Sequence, residues 1–367
     1  MANFRNALEP AVVNAAKKQL EELQAEGKLP PIAEVVAYTL NRLPPKYATT
    51  HRGWIRHRDE VLKSMQLEIY DTINRGIQVL RLGDPLHDSQ PIPDQEFQCK
   101  SMALVKLRQI LEQPLLEWQD VPGAVSRRLG QLEGRVYELP NLPEPQVSQG
   151  RSVKAQDSRY SGVSPANRQI IANLVDYSQR RRAKNWQKTN EAIANSDLRR
   201  PKTQTRKIFD LDLDNPQDVL QIYTLKANLG FSNVLENLVL SAAQAVAKQV
   251  DADVRSQINL AEVSAYALNR LPPMYATSQR GWEVLRRKAK EELAREILLR
   301  VKAAFEQVLN RPKRNPQPLP FQKIELEYDD ALLQLQIILH REDLNWLNLT
   351  DIVEQELNSA YRRSIGQ

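Results

Sequence analysis

The sequence predicts an all-α protein of two homologous helical domains joined by a long basic linker, and three observations carry that reading. Residues 33–54 (AEVVAYTLNRLPPKYATTHRGW) recur at 261–282 (AEVSAYALNRLPPMYATSQRGW), with 17 of 22 positions identical at an offset of 228. Apolar residues around both copies return at helical spacing, and there is little sign of a strand. The charge is uneven: of a net +6, residues 151–207 contribute +10, from 14 Lys or Arg against 4 Asp or Glu. The predicted boundaries are 1–135 for the first helical repeat, 136–227 for a basic and largely disordered linker, and 228–367 for the second repeat.

Each repeat opens on an amphipathic helix. FRNALEPAVVNAAKKQL (4–20) aligns with FSNVLENLVLSAAQAVA (231–247) at an offset of 227, so a one-residue indel separates this helix from the motif. The motif helix follows. Pro30 and Pro31 open it in the first copy, and in the second Asn259 with Glu262 reads as a capping box. It ends at Asn41-Arg42 and Asn269-Arg270, because the prolines after Leu43 and Leu271 disfavour further helix. A long helix then starts near Thr50 and Ser278. Leu62, Met65, Ile69, Ile73, Ile77 and Leu80 form its inner stripe, matched by Leu285, Ala289, Leu293, Ile297, Val301 and Val308. After a proline-rich break, 102–118 aligns with 330–346, and a last helix is expected around Val125–Leu132 and Ile352–Leu357.

The linker divides into a Pro/Ser/Gly/Gln-rich stretch, which favours disorder, and residues 167–193, which could form a basic helix. Arg180, Arg181, Arg182 and Lys184 beside Trp186 could contact nucleic acid or an acidic surface, with affinity that falls as salt rises. The alternative is a solvated connector with incidental charge.

Composition narrows the chemistry. A single cysteine, Cys99, excludes an internal disulfide framework and any multi-cysteine zinc site. The 12 glycines are few, which disfavours glycine-rich phosphate loops. No 18-residue apolar run or signal core is found, so the expected location is the cytoplasm. None of His51, His57, His87 and His340 recurs in the other copy, and no nucleophile–base pair is retained in both, so no enzyme is expected.

What the repeats do retain is a kit for planar anions. Arg42 and Arg270 offer planar forks for phosphate or for the edge of guanine. Asn41 and Asn269 carry a donor and an acceptor suited to a base edge. Tyr38, Tyr266, Tyr47 and Tyr275 can stack on a purine. Arg52 and Arg280 fall in the first turn of the long helix, on the unfavourable side of its dipole, where a bound anion and free N–H donors would resolve the conflict. The competing explanations are structural: Asn and cations suit a helix C-terminus, and Tyr38 and Trp54 can be core.

The string AYALNRLPPMYATSQRGW, after a helix of the FSNVLENLV type, resembles the cyanobacterial branch of the ComFB late-competence family, over roughly 4–80 and 231–308. The resemblance implies all-helical domains that pair, so the two repeats are expected to pack as an intramolecular pseudo-dimer. It also implies a non-enzymatic receptor for a cyclic dinucleotide, c-di-GMP or c-di-AMP, acting as a signalling adaptor on protein partners downstream. Its ligand contacts would fall at Asn41, Arg42, Leu43, Tyr47, Asn269, Arg270, Leu271 and Tyr275. Some relatives carry zinc-binding cysteines that this chain lacks, so neither zinc nor another cofactor is expected. The alternative is a helical scaffold whose linker, through 151–207, binds nucleic acid or other polyanions weakly.

Overall fold

A computed structural model describes residues 3–23, 29–82, 90–97, 100–133, 211–252, 255, 258–310 and 317–365. The basic segment 151–207, including the helix expected at 167–193, lies outside the described residues. The described chain is mainly helical. It divides into two compact units, one spanning Met1–Gln109 and Arg206–Glu325, the other Ile110–Thr205 and Leu326–Gln367.

The first unit contains the larger, N-terminal part of each repeat, and the last part of each falls in the second. Repeat one runs through β1 (Arg5–Asn6), α1 (Leu8–Glu22), α2 (Ile32–Leu40), β2 (Tyr47–Ala48), α3 (His51–Glu60) and α4 (Gln66–Leu82), with α5 (Ser101–Ile110) beginning at its far end. Repeat two has β3 (Ser232–Asn233), α8 (Val234–Ala247), α9 (Leu260–Leu268), β4 (Tyr275–Ala276), α10 (Gln279–Glu292) and α11 (Ala294–Leu309). Local chemistry starts the helices where the sequence indicates. Thr50 and Ser278 accept from the N–H groups of Gly53 and Gly281, and Asn259 accepts from Ala261. The glycine of each Arg-Gly-Trp is thereby explained: a Cβ on Gly53 would lie 2.9 Å from the Thr50 hydroxyl, and one on Gly281 would lie 3.1 Å from that of Ser278.

The long helix expected in each copy is interrupted. In repeat one a π-helical turn, Val61–Met65, separates α3 from α4; in repeat two the helix breaks at Leu293 (φ −109°, ψ −4°). The cause is the spacing of the apolar stripe. Inward residues recur every fourth position (Val61, Met65, Ile69, Ile73, Ile77), and a 3.6-residue helix drifts about 40° per such step. A wider turn or a break resets the phase. Val61 and Phe305 consequently take the inward positions expected of Leu62 and Val308, which are only partly buried.

The repeats are not stacked blocks; they exchange parts. Two short antiparallel ladders, β1–β2 and β3–β4, tie each N-terminal strand to its own motif. Yet Phe4, Tyr47, Ile92 and Phe97 of repeat one pack in the core of repeat two, while Phe231 and Tyr275 of repeat two pack in that of repeat one. The segments after the long helices cross over too. The Gln90 carbonyl accepts from Gln279 N–H at 2.8 Å, and the Gln317 carbonyl accepts from His51 N–H at 3.1 Å. Phe321 sits edge-on against Trp54. Each buried Phe withdraws apolar surface worth roughly 1.5–3 kcal/mol, so the exchanged residues make the pairing integral to both cores. This is the expected intramolecular pseudo-dimer.

Helix α7 (Pro216–Leu229) ends the segment assigned to the linker. Asn215 caps it, Pro216 occupies its first turn, and Gly230 at φ +71° closes it in the left-handed region that favours glycine. Its Leu225 enters the core of repeat one, although the helix leads directly into repeat two. The second unit is built on α6 (Val121–Glu133) packed against α13 (Leu349–Ile365), with Trp118 edge-on to Tyr328 at 4.8 Å. Both terminal helices are longer than expected. Helix α12 (Phe321–Ile338) begins in the first unit and runs into the second.

Candidate functional site

Each motif helix ends at an asparagine that grips the other repeat. Asn41 Oδ1 accepts from the Tyr275 N–H at 2.6 Å, and its Nδ2 donates to the Tyr275 carbonyl at 3.0 Å. Asn269 does the same to Tyr47, at 2.6 and 2.9 Å. The amide thus imitates a strand partner, satisfying both main-chain groups of a buried residue. From the other side, Asn6 Oδ1 accepts from Lys46 and Leu8, and Asn233 Oδ1 from Met274 and Leu235. Leu43 and Leu271, expected as contacts, are buried in the two cores.

Beyond this backbone clasp lies a buried polar cluster. The Tyr47 hydroxyl donates to Glu236 Oε1 at 2.7 Å and the Tyr275 hydroxyl donates to Glu9 Oε1 at 2.8 Å. Asn233 and Asn6 donate to those hydroxyls at 3.0 and 2.9 Å. Lys226 of α7 lies 2.5 Å from Glu236 Oε1 and 3.3 Å from Glu9 Oε1. Burial pushes both tyrosine hydroxyls well above their ordinary range, Tyr47 further raised by Glu236 and Tyr275 by Glu9. Burial also raises the Glu9 carboxyl, against the pull of Lys226. Burial alone would lower Lys226, but the two carboxylates outweigh it and hold the ammonium charged. Every polar partner in this cluster faces another, which makes it a closed structural network.

The arginines beside the asparagines are the open part. Arg42 stacks its guanidinium 3.4 Å from the Tyr38 ring centroid and donates Nη1–H to the Tyr38 carbonyl at 2.9 Å. Arg270 repeats this on Tyr266, at 3.4 and 3.0 Å. Both arginines are exposed, and among the described residues neither meets a carboxylate. The aromatic ring fixes the plane of each fork while leaving its outer face and further N–H groups to solvent.

Arg52 and Arg280 are exposed at the second position of α3 and α10, without a hydrogen bond or ion pair among the described residues. Two first-turn donors beside each are already used, by the Gln317 or Gln90 carbonyl and by the Thr50 or Ser278 hydroxyl. An anion there would meet the arginine and little else of the helix end.

The two rims differ. In repeat one Lys46 binds Glu60 at 2.7 Å, which holds that carboxyl below its usual range, and His51 lies 3.4 Å from Asp214. His57 Nδ1 is 3.6 Å from Glu60, and burial lowers its pKa. Repeat two has Met274, Gln279, Leu285 and Lys288 at the positions of Lys46, His51, His57 and Glu60. The charge that Lys46 adds is therefore neutralised locally.

Among the described residues no group of His, Cys, Asp and Glu could hold a metal ion, and no helix is long and apolar enough to cross a membrane. Sequence reasoning missed Asn6, Glu9, Asn233, Glu236 and Lys226. The first four recur between the repeats at the offset of 227, so the comparison that found the motif could have found them. Lys226 has no such signal. Compared with known families, residues 5–82 and 232–312 each match the family described as late competence development protein ComFB, so the matched stretch occurs twice in the chain. No curated protein matches the chain.

Proposed function

We propose that this chain is a non-enzymatic receptor for a cyclic dinucleotide of the c-di-GMP or c-di-AMP kind and acts as a signalling adaptor. One observation carries the reading: two exposed arginine forks, Arg42 and Arg270, each held in plane by a tyrosine and repeated across a pseudo-two-fold pair. A ligand with two equivalent halves suits two equivalent groups. The outer face of each fork can stack on a base, and its free N–H groups can reach the O6/N7 edge of guanine or a phosphate. Reading adenine would call for a side-chain amide, and the motif's amides, Asn41 and Asn269, are engaged across the repeats. The chemistry therefore favours c-di-GMP. Arg52 and Arg280 would add charge at the rim. Leu43, Leu271, Tyr47 and Tyr275 would shape the site from behind. The family's description ties such domains to late competence development, and we place the adaptor's protein partners in that process.

The test is calorimetric titration of the whole chain, and of Arg42→Ala, Arg270→Ala and the double variant, with c-di-GMP and c-di-AMP. Each single loss should weaken its site about ten- to hundredfold, the cost of a hydrogen bond to a charged group. Unliganded melting should shift by less than about 1 kcal/mol, since an exposed cation at a helix C-terminus contributes no more. Undiminished affinity in the double variant would overturn the reading.

A further inference from the structure

The pseudo-two-fold pairing places Glu9 and Glu236 at equivalent positions, and a single group, Lys226, reaches an oxygen of each, at 3.3 and 2.5 Å. A lysine that touches both members of a symmetric pair lies near the axis that relates them, where a symmetry-related second lysine would collide with it. The helix that carries it precedes repeat two. The site is deeply buried, with Lys226 8% exposed and Glu9 4%.

From this ammonium two equivalent chains of contact run outward. One passes through Glu236 to the Tyr47 hydroxyl, and the Tyr47 main chain is clasped by Asn269, next to Arg270. The other passes through Glu9 to the Tyr275 hydroxyl, whose main chain is clasped by Asn41, next to Arg42. Asn6 and Asn233 complete the hydroxyls' bonding, and Arg5 is the other cation whose charge acts on Glu9 and Lys226.

We propose that Lys226 is a positioning residue shared by both candidate sites: one buried cation, supplied once, that sets the seats of Arg42 and Arg270 together. The link to ligand rests on the receptor reading above; the link to Tyr47 and Tyr275 does not. Without the ammonium, two carboxylates would share a dry site with no cation between them, and both tyrosine hydroxyls would lose fixed acceptors. The two clasps would then loosen together, although a single side chain had been changed.

The test uses the full chain. Amide hydrogen exchange at Tyr47 and Tyr275, whose N–H groups bond to Asn269 and Asn41, is compared in wild type, Lys226→Met and Lys226→Arg, with Ile73 and Val301 as references in the two helical cores. In Lys226→Met both tyrosine amides should exchange about ten- to hundredfold faster relative to the references, as expected for loss of a charge-assisted bond. In Lys226→Arg both should stay closer to wild type. A change at one tyrosine alone, or at neither, overturns the proposal. Should Lys226→Met fail to fold, Lys226→Met/Glu9→Gln/Glu236→Gln removes both carboxylates left without the ammonium and must fold with both amides protected. If that variant also fails, the lysine acts by packing and the proposal falls. Titration with c-di-GMP separates the two readings. Failure of wild type to bind would sink the receptor while leaving the exchange result intact, and unchanged exchange would sink the shared lysine while binding stands.

Discussion

The two copies of the motif make the same clasp and present different rims. Behind each arginine the hydrogen bonds repeat atom for atom, from the asparagine amide to the opposite tyrosine and from the tyrosine hydroxyl to the opposite glutamate. In front, repeat one surrounds its motif with Lys46, His51, His57 and Glu60, where repeat two has Met274, Gln279, Leu285 and Lys288. The identical half is what holds the repeats together, and a change there on one side must be matched on the other. The rim answers to no such constraint. From Lys46 and His51 against Met274 and Gln279, the first copy is expected to be the more basic. The structure reverses that emphasis: Lys46 is bound to Glu60, whereas among the described residues Lys288 of the second copy meets only Glu292, at 3.9 Å along an exposed helix face.

If the clasp is the shared half, breaking it from either side should cost the same. Asn41→Ala strips Tyr275 of both main-chain partners, and Asn269→Ala does so for Tyr47, in a core where each tyrosine is 2% exposed. Each substitution should cost roughly 2–4 kcal/mol, from two buried backbone groups left unpaired. Urea unfolding of the full chain measures this. Costs that differ by more than about 1 kcal/mol would mean that the two clasps are energetically distinct despite their matching geometry.

The rim should separate the copies in acid. His57 is held below the ordinary imidazole value of 6.5 by burial, only partly offset by Glu60. Because the folded value is the lower one, the unfolded chain takes up the proton first as pH falls. The stability that the neutral ring contributes is therefore lost from about pH 6.5 downward, toward the folded value. Repeat two has Leu285 at this position and no such titration. Hydrogen exchange across that window should show α3 loosening before α10, and His57→Leu should abolish the difference. Equal loosening of both helices in wild type would remove His57 as the cause.

Legibility followed the same division. Whatever a residue does to its own neighbours was readable: the Thr50, Ser278 and Asn259 caps, the stop at the paired prolines, and the repeated domain itself. The clasp that Asn41 and Asn269 make was not, because an amide that suits a base edge suits a main chain equally well. Reciprocal exchange of Phe4, Phe97 and Phe231 depends on the path of the chain in space, which an apolar stripe cannot encode. The interruptions at 61–65 and 293 were visible only as a four-residue spacing that a regular helix cannot follow. Helix α7 carried ordinary signals in Asn215, Pro216 and Gly230, yet the boundary drawn between 227 and 228 cut through it. Its lysine lies outside the aligned stretches, which begin at 4 and 231.

The smallest expected effect concerns the seat of the stacked tyrosine. Tyr38 lies against Gly76 of α4, where an added Cβ would fall 2.8 Å from ring atom Cδ1. Repeat two has Ala304 at the equivalent position, buried in the core against which Tyr266 packs. The first copy thus holds its tyrosine, and the Arg42 fork stacked on it, closer to the long helix than an alanine allows. Gly76→Ala gains helix propensity of about 1 kcal/mol but forces the ring to give way. Net stability should therefore move by no more than about 1 kcal/mol in either direction, while the Arg42 fork tilts. Read in an Arg270→Ala background, so that only the first site reports, c-di-GMP affinity should fall by less than the loss caused by Arg42→Ala. The reciprocal change, Ala304→Gly in an Arg42→Ala background, removes no contact from the Tyr266 ring's outer face and should leave the second site unaltered. An affinity unmoved by Gly76→Ala would mean that the arginine finds its ligand wherever the ring lies, and that the tyrosine serves as packing alone.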